Sequence, residues 1–419
     1  MNRLVFQQAT IFDPDSKTYT NNQTIVIAND EFVWIGPDSE FTTEDGDIIT
    51  ELEGKLVFPG LIDAHVHLGA TTAVDWAKER MRSKDGRYHY LALKHAQDHL
   101  KAGFTTLRDV GGSPDWGAPL RRVLAEGMFP GPRILVAQQT LGQFGNQEKF
   151  GPREWIEANA KNDIAAGPYG VIEAVRDRKA TGSDLIKTMT TGGVLHGQES
   201  QLDRSLWTEE ELEAMVTEAH RLGMRVAVHA HGLHGIIKAA KAGVDTIEHG
   251  SFMNEEAAEL MKQQGIILVP TQASEFSSKD ELMDQLAPEV REKTIAVDKA
   301  MIENHRMAYE KGVKIACGTD AGVPGNPHGT SARELVLYVK HLGMTPAEAI
   351  ATATITAAEA LGLQDQIGTI EAGKTADLVI LKKDRDPLQE ISILEDVQNI
   401  LCVVKSGKIV IEKGKIIMN

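Results

Sequence analysis

Pro59-Gly60-Leu61-Ile62-Asp63-Ala64-His65-Val66-His67-Leu68 is a short apolar run that ends in two histidines. Its length and its Pro-Gly boundary predict a buried strand. A period of two puts His65 and His67 on one face, with Val66 turned the other way. Two imidazoles so placed can chelate one transition metal. Seven further runs of the same kind follow: Thr105–Val110, Arg133–Gln138, Leu185–Thr188, Arg225–His229, Thr246–His249, Ile267–Pro270 and Ile315–Thr319. Helical stretches lie between them, among them Trp76–Lys101, Thr208–Leu222, Asn254–Gln264 and Pro288–Lys311. Thr208-Glu209-Glu210-Glu211 reads as a capping box. Strand–helix alternation gives a parallel sheet, and eight such strands predict an α/β fold closed as a (β/α)8 TIM barrel.

The two ends of the chain have another texture. Leu4–Phe6, Ile25–Ala28 and Phe32–Ile35 are short β-like runs separated by Asn, Asp and Gly, as in an antiparallel sheet. Ala376–Leu381, Ile400–Ser406 and Ile409–Glu412 repeat the pattern, with Lys405-Ser406-Gly407-Lys408 as a hairpin turn. Both termini are therefore expected to build one small β-sandwich domain, residues 1–57 with 367–419, around a barrel of residues 58–366. Gln143–Ala180 is the longest connection and is expected to overhang the site as a lid.

Composition narrows the function. The chain has 419 residues, 42% hydrophobic and 25% charged, which excludes a disordered or fibrous protein. A net charge of −16 repels duplex nucleic acid and anionic membranes over most of the surface. Two cysteines, Cys317 and Cys402, cannot make a disulfide framework and fit a reducing compartment. No stretch approaches the roughly 18 apolar residues that span a bilayer, and the N-terminus lacks a long apolar leader. The expectation is a cytoplasmic protein acting on a small molecule.

Barrel chemistry sits at the C-terminal ends of the strands. The fifth run ends at His229, the sixth at His249 and the eighth leads into Asp320. Four histidines and one carboxylate thus share one rim, which reads as a metal site. Lys187 ends the fourth run, where a buried ammonium is costly unless it is paired or altered. As a neutral amine it can take up carbon dioxide, giving an anionic carbamate able to bridge two cations. Snorkelling to the rim is the alternative.

Taken together, residues 59–67, the strand lysine, the two later histidines and Thr319-Asp320-Ala321 resemble the amidohydrolase superfamily. The resemblance covers nearly the whole chain, including Gly368-Thr369-Ile370-Glu371-Ala372-Gly373-Lys374-Thr375-Ala376-Asp377-Leu378-Val379. Ile186-Lys187, Thr191-Gly192-Gly193 and Ile247-Glu248-His249-Gly250 are similar to its prolidase-like and imidazolonepropionase-related branch, which cleaves Xaa-Pro dipeptides, N-acyl amino acids and ochratoxin-type amides. The resemblance implies one metal on His65, His67 and Asp320 and a second on His229 and His249, with N6-carboxylated Lys187 bridging. Zinc suits this ligand mix, two per chain. A metal-bridging hydroxide would attack the amide carbonyl, with Asp320 as general base and then acid. A cyclic amidase or a lactonase/esterase on the same metals is the alternative, followed by a non-catalytic binding homologue. A homo-oligomer is expected by analogy. Relatives often carry Gly-Gly-His after the third strand, where this chain reads Leu141-Gly142-Gln143-Phe144-Gly145-Asn146-Gln147.

His231, His328 and His196 are candidate substrate contacts, each with a plain loop-histidine reading beside it. Arg108 is expected in an internal ion pair with Asp109 or another rim acid, and Cys317 in the core. The remaining histidines, including His99, His305 and His341, fall on helices and are expected to be solvated or capping.

Overall fold

The computed structural model describes residues 3–73, 86–112, 116–143, 154, 163–194, 200–276 and 282–418. Strands β1 (Leu4–Asp13), β2 (Thr18–Ala28), β3 (Glu31–Pro37), β4 (Ile48–Glu51) and β5 (Leu56–Pro59) open the chain. Strands β6 (Leu61–Val66), β7 (Phe104–Asp109), β8 (Arg133–Val136), β9 (Leu185–Met189), β10 (Arg225–Ala230), β11 (Thr246–His249) and β12 (Ile267–Val269) follow. Strands β13 (Leu378–Leu381), β14 (Ile400–Lys405), β15 (Lys408–Glu412) and β16 (Lys415–Ile416) close it.

One nine-stranded sheet draws on both ends, in the order β16-β15-β14-β13-β5-β1-β2-β3 with β4 on β1. The Ser406-Gly407 turn has φ of +48° and +73°, the left-handed pair that a two-residue hairpin requires. The sheet is not wholly antiparallel as expected: β1 pairs in parallel with β4 and β5. Both parallel partners reach β1 through longer excursions than a hairpin, a connection that turn residues alone do not reveal.

The middle strands form two parallel sheets, β6-β7-β8 and β12-β11-β10-β9. Helices α1 (Arg87–Lys101), α2 (Gly117–Ala125), α3 (Gly167–Ala180), α4 (Glu209–Arg221), α5 (Leu233–Ala242) and α6 (Glu255–Gln264) alternate with them. After β12 come α7 (Gln272–Phe276), α8 (Pro288–Glu310), α9 (Ala332–Leu337), α10 (Pro346–Thr352) and α11 (Ile355–Leu361). The Thr208 capping box forms, with its hydroxyl accepting from the Glu211 amide and the Glu211 carboxylate from the Thr208 amide. Of the expected helix from Trp76, residues 74–85 lie outside the described residues, and α1 begins at Arg87. The expected lid over Gln143–Ala180 ends in α3, while 144–153 and 155–162 lie outside the description.

Side-chain alternation orients the strands. Ile62 and Ala64 pack on Ala357, Ala358 and Leu361 of α11, so Asp63, His65 and His67 face inward. Burying each large aliphatic on the outward face contributes about 1.5–3 kcal/mol.

The expected eighth strand, Ile315–Thr319, is extended but makes only isolated bridges, Leu268 with Ile315 on one side and Val66 with Ala321 on the other. Its hydrogen bonds are divided. Ala316 donates to the Leu268 carbonyl, Cys317 accepts from Ala64, and the Cys317 amide turns outward to Thr352. On the far side Leu141 donates to the Lys187 carbonyl at 2.8 Å and Asp184 to Val136 at 2.9 Å, joining the chain of β8 to β9.

Gly318 lies where this segment is tightest. A Cβ there would press on Val269 Cγ1 and come within 2.9 Å of His65 Cβ. Gly318→Ala is therefore expected to cost about 1–3 kcal/mol, read as a lower urea midpoint at unchanged m-value.

Candidate metal centre

His65 and His67 leave the end of β6 on its inward face, and Asp320 meets them from the turn after the 315–319 segment. His67 Nε2 lies 3.1 Å and His65 Nε2 3.5 Å from the same oxygen, Asp320 Oδ1. The other nitrogen of each ring is engaged: His67 Nδ1 with the Gly111 carbonyl at 2.9 Å and His65 Nδ1 with Glu248 Oε2 at 2.6 Å. A carbonyl and a carboxylate only accept, so each Nδ1 donates a proton to its partner and each Nε2 is left facing Asp320. Three atoms able to bind a metal thus converge, and Asp320 Oδ1 is buried without a hydrogen-bond donor. Such a set calls for a cation, and these residues fit a divalent metal. The same atoms attract positive charge in another way. Burial lowers the His67 pKa, but the Asp320 carboxylate outweighs it and the net shift is upward. Burial raises Asp320, yet His65 and His67 hold its carboxyl far below the usual range.

Asp320 sits at φ +59° and His249 at φ +70°, a conformation that costs a non-glycine residue of order 1 kcal/mol or more. At His249 the reason is visible. Glu248 already takes the inward face of β11, so regular alternation would turn His249 outward. The left-handed backbone brings it back, with its ring 5.3 Å from that of His65. His249 Nδ1 contacts Thr271 Oγ1 at 2.7 Å, and His305 of α8 donates Nε2–H to the His249 carbonyl at 2.6 Å.

His229, His231 and His249 form a second group able to hold a metal ion. His229 and His249 lie 4.4 Å apart between ring centroids. Burial, then the charges of neighbouring groups, drives both pKa values well below the ordinary histidine range, so the rings are neutral and able to ligate. His231 stacks on His249 at 4.8 Å and bonds Ser251 Oγ through Nδ1 at 2.7 Å. Lys187 is 4% exposed. Burial brings its pKa down to about 8, against the pull of Glu248 and Asp320.

Asp63, which the sequence marks only by its place in the motif, ties β6 to the Asp320 turn. It accepts from Thr319 Oγ1 and Ser331 Oγ, both at 2.7 Å, and from the His65 amide at 3.0 Å. Arg108 pairs with Glu248 at 2.8 Å and not with Asp109. Asp109 instead accepts from the Leu68 and Gly111 amides, and burial raises it to about 6. Cys317 is a buried core residue, as expected. His99, His305 and His341 are buried rather than solvated, because their helix faces turn inward and their ring nitrogens find polar partners there. Of the candidate substrate contacts, His328 has both nitrogens occupied, by His99 at 3.1 Å and the Ala70 carbonyl at 3.3 Å. It stacks on His95 at 4.0 Å. His196 and residues 144–147 of the Gln143 segment lie outside the described residues.

A model of the amidohydrolase family matches residues 56–410. The chain is 30% identical over 375 residues to an ochratoxinase from Aspergillus niger, covering 84% of this chain and 75% of that protein. It is 25% identical over 416 residues to an imidazolonepropionase from Geobacillus kaustophilus, covering 94% and 91%. Its fold is similar to the solved structure of a Xaa-Pro dipeptidase with methionine bound in the active site. That match has a TM-score of 0.88, 37% identity, and coverage of 97% of this chain and 99% of the other.

His305→Leu would strip the donor from the His249 carbonyl and leave it buried and unpaired. The expected loss is about 1–3 kcal/mol of stability, measured by urea denaturation, together with faster loss of metal on dialysis.

Proposed function

The chain belongs to the amidohydrolase family and is a hydrolytic enzyme acting on carbon–nitrogen bonds. From that premise we propose that it cleaves the amide bond of a dipeptide or an N-acyl amino acid, using two divalent cations held by its own side chains. The observation that carries this reading is the convergence of His65 Nε2, His67 Nε2 and Asp320 Oδ1, one ring away from His229 and His249. His65, His67 and Asp320 would hold one cation and His229 and His249 the other, with Lys187, carboxylated on Nζ, as the ligand shared between them. Zinc suits the donors. The names of the similar proteins, a Xaa-Pro dipeptidase and an ochratoxinase, favour an acyclic amide. A silent binding protein is no longer a reading of this chain.

When bound, the cations supply a water of lowered pKa and a Lewis acid for the carbonyl oxygen. The chain's part is to hold and move protons. Asp320, ionised at working pH, takes the proton from the attacking water. Asp320 then passes that proton to the leaving amine nitrogen as the C–N bond breaks. His229 and His249 stay neutral throughout, so neither competes for the proton. His231, beside His249, is the proposed substrate contact; His328 is left out because its ring is engaged elsewhere.

A second reading, a cyclic amidase, is favoured by the imidazolonepropionase similarity spanning 94% of this chain; a lactonase or esterase on the same cations stands with it. We read the middle strands and the 314–321 segment as one closed barrel, supported by the hydrogen bonds at both seams. The division into a terminal β domain (1–57 with 367–419) and a barrel (58–366) is supported by the sheet shared between the two ends. A cytoplasmic homo-oligomer completes the reading, supported by two free, buried cysteines and by analogy. Among the described residues no helix is long and apolar enough to cross a membrane.

The zinc-loaded protein is expected to release amine from dipeptides or N-acyl amino acids, and Asp320→Asn to lower kcat by about 100- to 10,000-fold. Acid release from lactones or cyclic amides alone would move the protein to the second reading. Below pH 8 the neutral fraction of Lys187 rises about tenfold per pH unit, because only the deprotonated amine attacks carbon dioxide. At fixed dissolved carbon dioxide, the initial rate of carbamate formation, followed by 13C NMR, should rise to about pH 8 and level off above it. Lys187→Ala should abolish the signal and most of the turnover.

A further inference from the structure

The side chains beneath the metal ligands form a charged layer that the reaction does not use. Arg108 on β7 and Glu248 on β11 are 1% and 0% exposed. They belong to different sheets, so their 2.8 Å ion pair spans the interior between them. Arg108 is held from three sides: Nε donates to the Ala64 carbonyl at 2.5 Å, Nη1 to Thr246 Oγ1 at 3.1 Å and Nη2 to Glu248 Oε1. Thr246 Oγ1 donates in turn to Glu248 Oε1. Glu248 Oε2 is left for a single partner, the Nδ1 of His65 at 2.6 Å.

Removing a carboxylate from water costs several kcal/mol, and a buried pair is no more stable than apolar residues of the same volume. Stability therefore gives no reason for this layer, and its geometry supplies one. The carboxylate accepts the Nδ1 proton of His65, which holds the ring rotation that points Nε2 at Asp320. Arg108 and Thr246 occupy the other oxygen, so the Glu248 carboxylate cannot rotate away. We propose that Glu248, clamped by Arg108, is a positioning residue that sets the proton and the orientation of His65 for cation binding. The proposal rests on the reading that His65, His67 and Asp320 hold a cation.

Two double variants separate positioning from packing. Arg108→Met with Glu248→Met removes both charges and the acceptor while keeping volume. Arg108→Met with Glu248→Gln removes both charges but keeps an amide oxygen that can accept from His65 Nδ1. Affinity for zinc is measured by competition with a chromophoric chelator on protein whose circular dichroism matches the parent. The Met/Met variant is expected to bind the zinc of the His65 group about 10- to 100-fold less tightly than the parent, and the Met/Gln variant to recover part of that loss. Equal affinities in both variants and the parent would overturn the positioning role. No zinc binding by the parent would instead sink the cation reading itself. Should neither variant fold, 15N NMR of histidine-labelled parent, with His65→Asn for assignment, decides the matter: a proton on Nδ1 supports the proposal and a proton on Nε2 overturns it.

Discussion

One shared carboxylate oxygen is the constraint on which the centre depends. His65 Nε2 and His67 Nε2 lie 3.5 and 3.1 Å from Asp320 Oδ1, so three atoms able to bind a metal are brought to one point. Left to themselves such groups would rotate apart, so the scaffold must hold each one from behind. Gly111 and Glu248 fix the two rings by their Nδ1 protons. Asp63, tied to Thr319 and to the His65 amide, holds the Asp320 turn against β6. The affinity of the site for positive charge is stored in these restraints, because a cation entering a preorganised set has no ligand left to reorient.

Burial then does two jobs with one physical effect. It disfavours the charged form of every base it surrounds. For His229 and His249 that means neutral imidazole, the state that ligates a metal. For Lys187 it brings the amine to a pKa of about 8, within reach of neutrality at ordinary pH. The buried Arg108–Glu248 pair is held by its own ion pair together with bonds to Ala64, Thr246 and His65.

Much of this was legible in the sequence. The parallel middle strands were marked by apolar runs, and His65 with His67 by a period of two. Other features were not, for reasons that are physical. The eighth run divides its hydrogen bonds between two neighbours and across Gly318, which hydrophobic pattern does not encode. His249 follows the inward-facing Glu248, and only a left-handed φ lets adjacent residues share a face. The parallel pairing of β1 with β4 and β5 depends on register across distant chain. His305 lay on a helix where solvation is the common fate of a histidine, and its role comes from a carbonyl 56 positions away. The partner of Arg108 was legible only as an acid, since 140 residues separate it from Glu248.

Charge also bears on how such a centre selects its substrate. The chain carries −16 overall, a field that disfavours anionic substrates at a distance. Salt screens that field beyond about 8 Å at physiological ionic strength, so what a substrate carboxylate meets at close range is set by the rim alone. On the proposed reading, Asp320 and a carboxylated Lys187 would contribute two negative charges there, and neutral histidines none. Two divalent cations would outweigh them and make the centre locally cationic inside an acidic protein. A dipeptide or an N-acyl amino acid carries its carboxylate on the leaving amine side, within a few bonds of the scissile carbonyl, where that local charge is felt. Lactones and cyclic amides without a nearby carboxylate gain nothing from it. If the cations bind as proposed, discrimination between the two readings of substrate would rest on short-range electrostatics at the rim, while the chemistry of water activation would be common to both.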